Sequence, residues 1–460
     1  MKFKQILNNG LFVQTFTVIV VNLLALSFGL IIGWTSPSMS TLLSDETPIV
    51  SGPLTIDQIS WIGSLTHVGV MIGDIMAGVL LLKVGKKLII LLFIMPHVVF
   101  CLSIYFATEV YQLYIAKICG GITGGGSLTV IPLFTSDIAD KKIRGALSSM
   151  LLGFLHLGVL VGFIIGELFN YHTVPLVMLS TPILFVLLIG TFPESPHSLI
   201  EKNKIEEARA SLLFFRGRDA DKDSIECELK KLQISLKMKS NNTSDKLKLS
   251  YFATPEARKG ILIGIFLVIF KPITGSTSLA TYPSIIFKST GSYFSPNTSS
   301  IILGTLLLLG TIITFIFVDR IGRKMLLSIS AIMMGSSLLT LGVFSFFKND
   351  LNVSWISDLS LSMAVLSASI GIIPLPFVMI IETLPQNIRT VGSMCCTFLL
   401  TIIAFVVLKC FPILLEAVGV GPLMISLGVI CFIGMIIIKL IIPETKCKDL
   451  LEVDEMDSLK

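Results

Sequence analysis

The sequence predicts an all-α membrane protein with twelve transmembrane helices in two pseudo-symmetric six-helix bundles. Hydrophobic residues make up 53% of the chain and charged residues only 14%, with a mean hydropathy of +0.88. Apolar runs long enough for a hydrocarbon layer about 30 Å thick recur along the chain. A set of charged motifs occurs once in each half. A soluble chain of this length needs far more polar surface, and duplicated apolar halves are typical of secondary transporters.

The apolar runs give about twelve spans, six in each half, of roughly 20 residues each. They are placed near 11–33, 59–82, 87–107, 110–136, 146–168, 173–192, 260–287, 300–318, 325–347, 358–381, 392–415 and 422–442. The first run is too long for the apolar region of a signal peptide and lacks a small-residue cleavage site. We therefore interpret it as the first membrane helix.

Three charged motifs separate these runs, and each has a counterpart in the other half. Lys83-Val84-Gly85-Lys86-Lys87 recurs as Asp319-Arg320-Ile321-Gly322-Arg323-Lys324, Asp137 to Ile143-Arg144-Gly145 as Glu382 to Ile388-Arg389-Thr390, and Pro193-Glu194-Ser195-Pro196 as Pro443-Glu444-Thr445-Lys446. Their common order indicates an internal duplication.

The distribution of Lys and Arg predicts the orientation. Nearly all basic loop residues fall on one side, with Lys288 and Lys348 as exceptions. The positive-inside rule then places both termini in the cytoplasm of a multi-pass cell-membrane protein. The predicted organisation is an N-terminal bundle (1–193), a cytoplasmic linker with short helices (194–259), a C-terminal bundle (260–442) and a cytoplasmic tail (443–460). Asn352-Val353-Ser354, in a predicted outer loop, is an expected glycosylation site.

Several other classes of protein are disfavoured. The basic residues sit in short loops between helices, so the net charge of +5 does not indicate nucleic-acid binding. The eight cysteines lack CxxC spacing, so we expect no metal site. No nucleophile–base pair or phosphate-binding loop indicates an enzyme, and no cofactor is expected. The expected partners are the lipid bilayer and a small-molecule solute, with a sugar favoured, whereas the oligomeric state stays open.

The motifs together resemble the sugar porters of the major facilitator superfamily, in particular the insect facilitated trehalose transporters. The resemblance runs nearly end to end. It rests on Trp34-Thr35-Ser36-Pro37 closing the first helix, Gly73, Gly78, Gly85-Lys86-Lys87, Gly121, Gly125, Pro132, Arg144-Gly145, Pro193-Glu194-Ser195-Pro196, Thr274-Gly275, Tyr282, the Asp319–Lys324 motif, Pro374-Leu375-Pro376, Glu382, Pro385, Arg389 and Pro443-Glu444-Thr445. It implies the major facilitator fold.

The resemblance also implies gating residues. In a carrier whose two bundles rock against each other, ion pairs among cytoplasmic helix ends can hold one state closed and break without unfolding either bundle. The expected gating residues are Lys86, Asp137, Arg144 and Glu194 in the first half, and Asp319, Arg320, Arg323, Glu382, Arg389 and Glu444 in the second. The alternative is that these are ordinary positive-inside residues with loosely paired acids. In the first half, lysine replaces the family's arginine at Lys86, and Leu82 occupies its acidic position.

Polar side chains within spans are candidates for solute binding, because each needs water or a partner there. Pro272 and Gly275 break the seventh span and free backbone groups that are tolerated only beside water or protein. The candidate solute-binding residues are Lys271, Thr274, Gly275, Ser276, Thr277, Tyr282, His156, Pro376 and Phe377.

Several of these positions depart from the family pattern. Lys271 and Pro272 replace a glutamine pair, and Phe377 replaces a tryptophan. A lysine at mid-span costs roughly 2.5–3.5 kcal/mol on insertion scales. It is either a cavity cation that binds an anionic or polyol solute, or a hydrated lysine that binds nothing specific. His156 is either a ligand or a histidine that bonds a neighbouring carbonyl.

These observations favour a uniporter for a sugar, trehalose or a hexose, that works by alternating access. The first span contains no carboxylate where proton-coupled relatives carry an aspartate, which favours facilitated diffusion over proton symport. Two alternatives stay open. One is a carrier of the same fold for another small organic or anionic solute. The other is a non-transporting sugar sensor.

Overall fold

The computed structural model describes residues 10–140, 143–217, 222–242, 254–290, 294–346, 354–385 and 388–444. Every regular element in these ranges is a helix. They are α1 (Gly10–Leu42), α2 (Ile56–Leu81), α3 (Lys86–Tyr105), α4 (Val110–Ile138), α5 (Arg144–Leu168), α6 (Thr173–Met178), α7 (Ser180–Ile189), α8 (Pro196–Glu201), α9 (Ile205–Arg216), α10 (Lys222–Asn242), α11 (Pro255–Ile273), α12 (Ser276–Thr281), α13 (Pro283–Thr290), α14 (Pro296–Ile321), α15 (Arg323–Phe346), α16 (Ser354–Ile370), α17 (Leu375–Thr383), α18 (Arg389–Val418) and α19 (Val420–Ile441).

Ten helices in the described ranges are long and apolar enough to cross a membrane. The sixth predicted span is the shorter apolar pair α6–α7, and the seventh is divided among α11, α12 and α13. These two spans account for the difference between the ten long apolar helices and the twelve predicted spans, and one of the ten, Trp355–Thr383, joins α16 and α17. The predicted helical membrane fold is thereby confirmed.

The first span ends later than predicted. The sequence predicts an end near 33, with the Trp34–Pro37 motif closing the helix, but α1 continues through Pro37 to Leu42. A proline removes one helix hydrogen bond, which a membrane helix tolerates when its neighbours satisfy the freed group. Pro37 also packs directly on α5, because a Cβ built on Gly166 would lie 2.6 Å from the proline Cβ. This interhelical packing, which the span's own sequence does not reveal, overrides the proline signal.

The helix pairing repeats between the two halves. In the first half α1 packs on α5 and α2 packs on α4; in the second half α11 packs on α18 and α14 packs on α16. The two bundles meet where α2 lies against α18 and α5 lies against α14. Helices α2 and α14 occupy equivalent positions in the two halves, and so do α5 and α18, so the repeat relates the two contacts to each other. The predicted pseudo-symmetry is confirmed.

Glycines bring the helices of the first bundle into close contact. Gly69 and Gly73 of α2 face Gly121 and Gly125 of α4, and at each of the four an added Cβ would lie within 2.5 Å of a backbone atom of the other helix. Small residues at such crossings let membrane helices approach closely enough for van der Waals packing to hold them together.

Three helices of the described residues, α8 to α10, lie in the segment between the halves. The amide of Gln14 in α1 donates to the Phe215 carbonyl at 2.9 Å. Arg216 donates to the Ile138 carbonyl at 2.9 Å, and Ser211 donates to the Glu194 carbonyl at 2.7 Å. Helix α9 is therefore anchored on the first bundle, at the end where the charged motifs lie. We call this the motif end, and the other the opposite end.

Candidate functional site

The break between α11 and α12 is built around a left-handed glycine. Gly275 has φ +81°, a conformation that other residues adopt only with strain. The hydroxyls of Thr274 and Ser276 both donate to the Lys271 carbonyl at 2.7 Å. These two candidate solute-binding residues therefore use their hydrogens to satisfy a backbone carbonyl at the end of α11. Thr277, one residue further, is half-buried.

Lys271 lies at this break, and only 9% of its surface is exposed. Its ammonium sits 4.1 Å from the centre of the Phe377 ring, on α17. Pro376, beside that phenylalanine, is buried. The charge of Lys271 also interacts with two imidazoles of the first bundle, His67 on α2 and His156 on α5. Residues from both halves thus converge on the break.

His156 links the two bundles directly. Its Nδ1 lies 2.5 Å from the hydroxyl of Thr311 on α14, and the side chain is 4% exposed. The Thr311 hydroxyl already donates to the Leu307 carbonyl at 2.9 Å, so it accepts from histidine and Nδ1 carries the hydrogen. In the neutral imidazole Nε2 is then an acceptor.

Tyr282 is placed between helices of both bundles and is fully buried. Its hydroxyl donates to the Leu408 carbonyl of α18 at 2.9 Å, and its ring stacks on Phe411 with centroids 6.0 Å apart. Gly63 of α2 faces the same ring, since an added Cβ there would lie 1.9 Å from the tyrosine oxygen. In this conformation Tyr282 closes the opposite end of the protein, and its role in solute binding stays a prediction.

At the motif end of the first bundle, Lys86 of α3 and Asp137 of α4 form an ion pair of 2.5 Å. Two residues that the sequence reasoning missed complete the site: the Ser195 hydroxyl donates to Asp137 at 2.8 Å, and His197 Nδ1 lies 3.5 Å from it. Burial lowers the pKa of His197 by more than the nearby Asp137 carboxylate raises it. The imidazole is therefore neutral near pH 7, because an unperturbed histidine has a pKa of about 6.5.

Arg144 does not join this pair. Its guanidinium donates to the Ala139 carbonyl at 3.4 Å. In the second bundle, Arg389 likewise donates to a backbone carbonyl, that of Leu384, at 3.2 Å. Each arginine begins a helix and bonds back to the preceding turn.

In the second bundle, Arg323 forms ion pairs with two acidic residues. Its guanidinium lies 3.0 Å from Asp319 and 3.4 Å from Glu382. Arg320, also expected in this cluster, is exposed at the end of α14. Arg323–Glu382 corresponds to Lys86–Asp137 in the repeat, and each pair joins two helices of the same bundle.

Glu194 and Glu444, both expected gating residues, accept hydrogen bonds from backbone N–H groups at the motif end. Glu194 accepts from the backbone N–H of Lys87 at 3.0 and 3.1 Å, and Glu444 accepts from the backbone N–H of Arg323 at 3.0 Å. Each carboxylate therefore caps the first turn of α3 or α15, where unpaired N–H groups and the helix dipole favour an anion. Both lie beside a glycine of the repeated motif, Gly85 or Gly322, whose added Cβ would collide with the carboxylate.

The opposite end carries an ion pair between the bundles that the sequence reasoning did not predict. Lys409 of α18 lies 2.5 Å from Asp57 and 2.7 Å from the Ser60 hydroxyl, both on α2. Its ammonium is also 4.4 Å from the Trp61 ring.

A second contact between the bundles lies at the same end. Ser36 of α1 lies 3.2 Å from the Ser300 hydroxyl of α14. It also accepts from the backbone N–H of Ser284 at 3.1 Å, and the Ser284 hydroxyl donates to the Ser36 carbonyl at 2.7 Å. Together with Lys409–Asp57, these bonds close the opposite end. Asn352, the expected glycosylation site, lies outside the described residues.

Comparison with known proteins places the chain in a family. The family profile described as "Sugar (and other) transporter" matches residues 11–456. Proteins named facilitated trehalose transporter Tret1 are 30% identical over 445 residues in Apis mellifera ligustica, covering 96% of this chain and 87% of that protein, and 28% identical over 448 residues in Bombyx mori, covering 96% and 86%.

Solved structures support the fold. The inward open conformation of the xylose transporter XylE from E. coli aligns with a TM-score of 0.79 at 19% identity, covering 95% of this chain and 98% of that one. The proton:xylose symporter XylE bound to 6-bromo-6-deoxy-D-glucose aligns with a TM-score of 0.72 at 21% identity, covering 95% and 98%. The chain has the major facilitator fold and belongs to the Sugar (and other) transporter family.

Proposed function

We propose that this chain carries a sugar across a membrane by alternating access. The observation that carries the proposal is the interrupted α11–α12 helix, whose polar residues meet side chains of both bundles near the middle of the membrane. Secondary transporters bind solutes at such breaks between repeats. The names of the relatives support trehalose as a first candidate, and a hexose is the second.

We further propose facilitated diffusion without proton coupling. Helix α1 has no aspartate or glutamate, so it offers no titratable carboxylate to couple sugar movement to a proton. The basic residues at the motif end support a cytoplasmic location for that end and for both termini, in the cell membrane.

The alternating cycle follows from the two ends of the molecule. At the opposite end, ion-pair, hydrogen-bond and aromatic contacts join the bundles. At the motif end, Lys86–Asp137 and Arg323–Glu382 each join helices of one bundle. This conformation corresponds to a carrier closed at the opposite end, and opening that end requires the contacts of Lys409 and Ser36 to break.

The full-length protein in proteoliposomes should show saturable uptake of trehalose or glucose that continues after the pH gradient is collapsed. Uptake measured with radiolabelled sugar, with and without a protonophore, tests this. Uptake abolished by the protonophore would contradict facilitated diffusion. Sugar binding without flux would favour the alternative of a sensor.

Lys409→Gln should shift the protein toward the state open at the opposite end by about fivefold. The pair is partly exposed, with 18% of the Lys409 and 64% of the Asp57 side chain accessible, so its loss costs only about 1 kcal/mol. The measurement is the distance between spin labels at Val50 and Val418, in a background with reactive cysteines replaced. Lys439→Gln, at an exposed lysine of α19, is the control. Equal distance distributions in both variants would argue against this gate.

A further inference from the structure

Among the residues that the structure describes, two lysines are nine-tenths or more buried within membrane-spanning helices, and their surroundings differ. Lys117 of α4 is 1% exposed. Its ammonium donates to the Ile31 carbonyl at 3.3 Å and to the Thr35 hydroxyl, and it lies 4.9 Å from the Trp34 ring. Lys117 thus has hydrogen-bond acceptors within the first bundle, as a buried structural lysine requires.

Lys271 lacks such acceptors. Among the described residues its ammonium has no hydrogen bond and no ion pair, and its contact is the face of the Phe377 ring at 4.1 Å. A cation–π contact contributes about 0.5–2 kcal/mol, less than the roughly 2.5–3.5 kcal/mol that a lysine at mid-membrane costs. Burial of Lys271 therefore leaves an ammonium that needs an acceptor.

The neighbouring imidazoles provide no negative charge. Lys271 and Lys117 lie near enough to act electrostatically on His67, and Lys271 lies near enough to act on His156. His67 Nδ1 is also buried without a hydrogen-bond partner. The region between the bundles thus holds a positive charge and an unpartnered ring nitrogen.

We propose that the solute is a sugar bearing a carboxylate, and that Lys271 binds this carboxylate. The inference rests on the proposed transport function and names the substrate class of that site. A carboxylate supplies the charged acceptor that Lys271 lacks, and an ion pair of this type is stronger than a hydrogen bond to a neutral hydroxyl. The loaded site is neutral, whereas the empty site carries the ammonium charge.

Glucose and glucuronate test the proposal, because they share a ring and differ by one carboxylate. Uptake of each is measured in proteoliposomes containing the wild-type protein, Lys271→Gln or the control Lys439→Gln. In the wild type, glucuronate uptake should exceed glucose uptake by at least about tenfold, the effect of about 1.4 kcal/mol. Lys271→Gln should lower this ratio at least tenfold through lost glucuronate uptake, and Lys439→Gln should leave it unchanged.

A ratio of glucuronate to glucose uptake near one in the wild type overturns the carboxylate proposal, and so does a ratio that Lys271→Gln does not change. In either case, glucose flux still supports the transport function. If neither solute crosses the membrane, the transport function is overturned. The carboxylate site is then tested separately, by measuring solute binding. Glucuronate should raise the melting temperature of the wild type and of Lys439→Gln more than glucose does. Equal shifts in Lys271→Gln and the wild type would overturn the site.

Discussion

Gly69→Ala is expected to lower the melting temperature of the detergent-purified protein by about 1–3 °C. The added methyl group would lie 2.1 Å from the Ile118 carbonyl oxygen and 2.7 Å from Gly121 Cα. Both are backbone atoms of α4, so no side-chain rotation relieves the collision. Helices α2 and α4 must separate, and overpacking of this kind typically costs about 1–3 kcal/mol.

Gly78→Ala is the matched control in the same helix, because an added Cβ there meets nothing within 4 Å. Its melting temperature should equal that of the wild type or lie slightly above it, since alanine favours a helix more than glycine does. Gly121→Ala tests the contact from the other side, where the added Cβ would lie 2.0 Å from the Thr66 carbonyl. Equal melting temperatures for Gly69→Ala and Gly78→Ala would show that this crossing does not limit stability.

The sequence predicts the bundle architecture well because lipid imposes a simple rule on the chain. Each span must be apolar over its length, and each backbone group must be bonded internally. The break in the seventh span is also predictable, since proline and glycine act locally. The sequence does not predict where α1 ends, because Pro37 is stabilised by Gly166 of α5, more than a hundred residues away along the chain.

The candidate site is only partly predictable for the same reason. Lys86 and Arg323 of the duplicated motifs pair with acids in the structure, and their role in gating stays a prediction. Composition cannot indicate that Glu194 caps a helix instead of pairing with a side chain, because both uses need a carboxylate at a helix end. The glycine of the motif, Gly85, is the sequence feature that belongs to this cap, because its missing side chain leaves room for the Glu194 carboxylate. Lys409 pairs across the bundles, which no motif records.

Gly63→Ala is expected to reduce sugar uptake more than tenfold by preventing the opposite end from closing. The added methyl group would lie 1.9 Å from the Tyr282 oxygen and 2.5 Å from its ring carbon Cζ. Tyr282 cannot move aside easily, because it is fully buried, bonded to Leu408 and stacked on Phe411. The two bundles must therefore part at this end, and the state closed there loses population.

Spin labels at Val50 and Val418 should report this opening as a longer distance in Gly63→Ala than in the Gly78→Ala control. Reduced uptake with an unchanged distance would mean that the methyl group acts on folding or binding instead. A melting temperature close to that of the wild type would then argue against a folding defect.

The Tyr282→Leu background separates a wedge between the bundles from a general loss of packing. Leucine removes the ring that the methyl group strikes, so Gly63→Ala should change the label distance little in this background. Two substitutions that act through one contact are non-additive, and a double-mutant cycle measures the coupling. If Gly63→Ala opens the protein equally in both backgrounds, the tyrosine ring is not what Gly63 accommodates. The α2–α18 interface itself would then set the closed state.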